Sequence, residues 1–146
     1  MVDTIRSRAA IVSLFADNST GDISAQDLRD CLISINALRL QTDKGTVSSG
    51  TTTLGADIAK QKITAGGDFT IAFDTWPASG DYAEVEIELV NGGAHTITWP
   101  TVNWLAGDGT YSTTFSSMGV TLQTTGTNWI VIWSTDGGTT LWGRAS

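Results

Sequence analysis

The chain has 146 residues, is 40% hydrophobic and 16% charged, and carries a net charge of −7. Its 8 Lys and Arg are scattered among 15 Asp and Glu, which argues against nucleic acid or an anionic membrane surface as a partner, because both need clustered basic side chains. A single cysteine, Cys31, rules out an intrachain disulfide, and no apolar run reaches the ~18 residues of a membrane span.

The start, MVDTIRSRAAIVSLFADNST, lacks the long apolar core of a signal peptide, so synthesis in a cytoplasm is expected. Residues 1–44 hold five of the eight basic residues and one of the sixteen glycines. That contrast predicts a helical segment followed by a β-rich one, since Thr suits strands and Gly suits turns. A first helix should begin at Asp3 or Thr4. Ile5, Ala9, Val12 and Phe15 recur at helical spacing.

The following stretch, LFADNSTGDISAQDLRD, resembles a calcium loop around Gly21. Such a loop needs Asp first, a second acid or Asn mid-loop and a bidentate Glu last. Here Ala16, Thr20 and Asp27 stand in those places, so no metal is expected. Helix-start chemistry explains the same residues. Ser24 is placed as an N-cap, Asp27 completes a short capping box, and Ile23 can staple onto Leu28. Leu28, Cys31, Leu32, Ile35 and Leu38 then share one helical face.

Residues 1–40 are therefore predicted to form an αα-hairpin. A segment below roughly 40 residues rarely buries enough surface alone. Its apolar stripes need a cover, either the β domain or other copies of the chain. Other copies are favoured, because residues 41–50, QTDKGTVSSG, read as a linker. The interface is placed on Val12, Phe15, Leu28, Leu32 and Ile35.

Residues 51–146 read as short strands separated by turns. IAKQKIT (58–64) puts Lys60 and Lys62 on one face, which suits an edge strand. DFTIAF (68–73) is a further strand. YAEVEIELV alternates cleanly, with Val85, Ile87 and Leu89 opposite Glu84, Glu86 and Glu88. NGG (91–93) predicts a hairpin turn into AHTITW. GVTLQT (119–124) and NWIVIW (128–133) follow, and DGG (136–138) turns the last of these into TTLWG. The expected fold is a β-sandwich or jelly roll of about 7–9 antiparallel strands.

TITWPTVNW (96–104), VTLQTTG and the terminal DGGTTLWG resemble a β-sandwich found in tailed-bacteriophage virion proteins. FTIAFDTWPASGDYAEVEIELVNGG matches that family's alternation of strand, Pro-bearing loop and glycine turn, and LFADNSTGDISAQDLRDCLISI is similar to a short helical segment in the same kind of protein. The family more often has Trp directly after the final threonines, where this chain has Leu141 before Trp142. The resemblance implies a structural or attachment role in a virion, as a fibre or a capsid decoration (cement) protein. It also implies a homotrimer and contacts with capsid or tail proteins.

An enzyme is not expected. The one histidine, His95, lies in a strand with no G-x-S-x-G elbow in the chain. Cys31 sits on an apolar helix face, where a buried thiol is inert. No cofactor is implied. A host glycan is the alternative partner, since all six tryptophans fall in the β half and an indole can stack on a sugar ring. Trp129 and Trp133 share a face with Val131 and are assigned to the core, as is Trp99 beside Ile97. Trp76, before Pro77, and Trp104, near the Gly107–Gly109 turn, lie at strand ends and are the candidate glycan or partner contacts.

Overall fold

The computed structural model of the chain describes residues 24–37 and 41–146. Helix α1 spans Ala25–Ala37. Its start follows from two side chains. The Ser24 hydroxyl accepts the Asp27 N–H at 3.1 Å, while the Asp27 carboxylate accepts the Ser24 N–H at 3.0 Å. This reciprocal pair satisfies donors that a helix start leaves free. The expected first helix, the loop around Gly21 and the Ile23 staple lie outside the described residues.

Beyond α1 the chain is mainly β, in sheets of seven and three strands. The first six strands are β1 (Gln41–Val47), β2 (Thr51–Gly55), β3 (Lys60–Ala65), β4 (Phe69–Asp74), β5 (Ala83–Val90) and β6 (Ile97–Thr98). They alternate between the sheets. β1, β3 and β5 pair in parallel in the larger sheet, and β2, β4 and β6 pair in parallel in the smaller one. Gln41 sits opposite Lys60 and Thr51 opposite Thr70, a step of 19 residues in both sheets. The chain thus winds in coils. Successive corners stack so closely that a Cβ on Gly67 would lie 2.1 Å from the Ser48 carbonyl oxygen.

This winding corrects the expectation of antiparallel strands throughout. A strand that returns to its own sheet by way of the other sheet comes back in the same direction. Among the described residues five of the eight strand pairings are parallel, four of them of this kind. Residues 91–93 do not close a hairpin either. Asn91 takes a left-handed φ of 57°, a short 3-10 turn follows over Gly92–Ala94, and the chain crosses to the smaller sheet. Most of the supposed linker is strand β1, and β3 lies between β1 and β5 rather than at an edge. Its lysines are ordered by cross-strand acids instead. Lys60 lies 4.0 Å from Glu86, and Lys62 lies 3.8 Å from Asp43.

The last part of the chain closes the larger sheet. β7 (Asn103–Leu105), β8 (Tyr111–Ser112), β9 (Thr127–Ser134) and β10 (Trp142–Ala145) complete the order β1-β3-β5-β9-β10-β7-β8. β9 runs antiparallel to β5 along its whole length, from Val90 opposite Thr127 to Ala83 opposite Ser134. The DGG segment does form the turn between β9 and β10, with Gly137 and Gly138 at φ of 73° and 82°. No strand forms at 119–124.

Both sheets feed one core. Leu54 and Ile71 come from the smaller sheet, and Ile63, Val85, Ile87, Ile130 and Ile132 from the larger. Each such fully buried aliphatic side chain contributes about 1.5–3 kcal/mol. The buried amide of Asn128 is tied into the framework. Asn128 accepts the Gln123 N–H at 2.6 Å and donates to the Ser146 carbonyl at 3.2 Å, anchoring the last residue to β9.

Candidate functional site

Among the described residues, two surfaces present large apolar side chains to solvent. The first is α1. Leu28 and Leu32, one turn apart, are 53% and 54% exposed, whereas Asp30 on the same helix is 1% exposed. The helix therefore turns an aliphatic pair outward and a carboxylate inward. Cys31, placed on the leucine face, is half-buried. Of the other residues assigned to an interface, Val12 and Phe15 lie outside the described residues, as does the side chain of Ile35.

The second surface is the outer face of the larger sheet. Along β9, Asn128, Ile130, Ile132 and Ser134 point into the protein, and Trp129, Val131 and Trp133 point out. This reverses the sequence expectation that Trp129 and Trp133 pack in the core. Both parities of NWIVIW are apolar, so alternation alone does not fix which face is buried. The pairing with β5 does. Glu84 stands opposite Trp133 and Glu88 opposite Trp129, which puts the tryptophans on the glutamate face.

Neighbouring strands extend this face. Trp142 on β10 lies opposite Trp133, and Arg144 lies opposite Val131. Tyr111 on β8, 62% exposed, meets Trp142 edge-on with ring centroids 5.2 Å apart. On the other flank, the Lys60 ammonium sits 4.3 Å from the centre of the Trp129 ring. That is a cation–π contact, which holds the indole in place. Gln41 donates a hydrogen bond to Glu88 across the sheet. Tyr82 donates to Glu84. Its phenol is pushed up to about 12 by desolvation and by that carboxylate.

The two tryptophans chosen from sequence behave differently. Trp104 is 1% exposed and cannot contact a ligand, which corrects its assignment to the surface. Its ring lies edge-on to Trp99 and to Phe115, at 5.2 and 4.8 Å. Gly143 makes room for it, since a Cβ there would fall 2.7 Å from the ring. Nearness to a turn does not expose it: β7 is only three residues long, yet its middle residue points inward. Trp99 packs against the core, as expected. Trp76 is half-buried. It packs on Phe73 at 6.1 Å and against the backbone of Gly138.

Among the described residues, no three His, Cys, Asp or Glu side chains converge into a metal-binding group, and no helix is long and apolar enough to cross a membrane. A cleft of about 440 Å³ opens beside Arg144, lined by Leu105, Met118 and Val120. Comparison with protein-family models, curated proteins and solved structures finds no match for this chain.

Proposed function

We propose that this protein is a non-enzymatic structural component of a bacteriophage particle, a homotrimeric decoration or fibre protein. It assembles through its N-terminal helical segment and displays the two-sheet β domain, read as a variant sandwich, on the particle. The observation that carries the assembly half is the solvent-facing pair Leu28 and Leu32, with Asp30 turned inward. An aliphatic pair left bare on a helix gains free energy when another copy covers it. The virion half rests on the sequence resemblance of the TITWPTVNW and DGGTTLWG segments. Capsid or tail subunits are the expected further partners, and the virion is the expected location.

Immunogold electron microscopy of purified particles tests this reading. Label at regular positions on capsid or tail is expected, with Leu32→Asp chains lost from the particle. Unlabelled particles alongside abundant free protein would overturn it.

A further inference from the structure

The outer face of the larger sheet combines two features that assembly through α1 does not use. One is a row of rings. Trp129 and Trp133 stand four residues apart on β9, roughly 13 Å at the usual strand rise. Trp142 lies beside Trp133, and Tyr111 beside Trp142. The row is longer than a single pyranose ring. The other feature is charge balance. Lys60, Lys62 and Arg144 share this face with Asp43, Glu84, Glu86 and Glu88, three cations against four anions in a chain of net charge −7. The lysines are already engaged with Glu86 and Asp43 at 4.0 and 3.8 Å.

These features select a class of ligand. A nearly neutral surface has no field to draw a polyanion or a strongly charged peptide. A protein interface concentrates aromatic side chains at a centre depleted of charge. Here each β9 tryptophan has a glutamate directly across from it, and Trp129 also carries a lysine. Apolar ring faces set among fixed hydrogen-bonding groups suit a ligand that is itself apolar on one side and hydroxylated at its edges. A pyranose has that form.

We infer that this face binds a neutral polysaccharide. Its sugar rings stack on Trp133 and Trp142, beside the Trp129 ring that carries Lys60, and its hydroxyls hydrogen-bond to Glu84, Glu88 and Arg144. The inference uses no residue of α1 and stands apart from the assembly reading.

Native affinity electrophoresis of the full chain in gels containing dextran, galactomannan or hydroxyethylcellulose tests it. Retarded migration is expected in at least one gel. Trp133→Ala and Trp142→Ala should each weaken that binding about tenfold, the size expected for a lost ring contact. Tyr111→Ser, at an exposed position on an edge strand, should weaken it less and lower the unfolding midpoint only slightly, by loss of the edge-on contact with Trp142. Unretarded migration in all three gels would overturn the inference. So would retardation that persists unchanged in Trp133→Ala and Tyr111→Ser.

Discussion

Helix α1 and the outer face of the larger sheet both show large apolar side chains to water, but in different company. Leu28 and Leu32 are flexible aliphatics on a helix whose carboxylate Asp30 is turned inward. Exposed Trp129 and half-buried Trp133 and Trp142 are flat rings on a paired sheet, interleaved with Lys60, Glu84, Glu88 and Arg144. An aliphatic pair offers area without direction, which suits another copy of the same helix. Rings among ordered charges offer direction, which suits a ligand with hydroxyls at defined places. Exposure alone does not separate the two cases; the neighbours do.

The largest expected effect lies in neither region. Trp104→Ala empties the centre of an aromatic cluster and should cost about 3–5 kcal/mol of stability, measured by urea unfolding. Trp133→Ala, half-buried on the outer face of the same sheet, should cost clearly less. If the two losses are equal, the assignment of inner and outer faces is wrong. Ser24→Ala removes the cap of α1 and should cost that helix about 1 kcal/mol. Loss of helical circular dichroism with unchanged β signal checks it.

The smallest effect concerns the β9–β10 turn. The Asp136 carboxyl is held below its ordinary value by hydrogen bonds from the Thr140 backbone and side chain and from Ser134. A carboxylate with a depressed folded-state pKa adds stability above the ordinary Asp range. That contribution is lost as pH falls through the depressed value. Asp136→Asn should therefore lower stability slightly at neutral pH and flatten the acid limb of the profile, so that variant and wild type converge at low pH when urea unfolding is followed across pH.

Much of the fold was legible where one face of an element is polar. YAEVEIELV places its glutamates and aliphatics on opposite sides, and β5 follows that pattern. Ser24 and Asp27 announce the start of α1, and both capping bonds form. Local pattern is silent, by contrast, about which strands become partners. Residues 41–47 are polar and glycine-containing, yet β3 pairs with them. Parallel winding depends on which strands meet after a full coil, a relation spread over 19 residues in the first coil and more in the next. The inward turn of Trp104 depends on the β7–β10 pairing, and the outward turn of Trp129 and Trp133 on the antiparallel β5–β9 pairing. The aromatic face was hidden for this reason, although its residues were all in view.

The direct test of assembly through α1 is the molar mass of the full chain in solution, by light scattering at micromolar concentration. Wild type should show about three times the chain mass of 15.4 kDa. The double variant Leu28→Asp, Leu32→Asp should fall to a single chain with its β signal intact. A wild-type monomer, or an oligomer whose mass is unchanged in the double variant, would contradict the account.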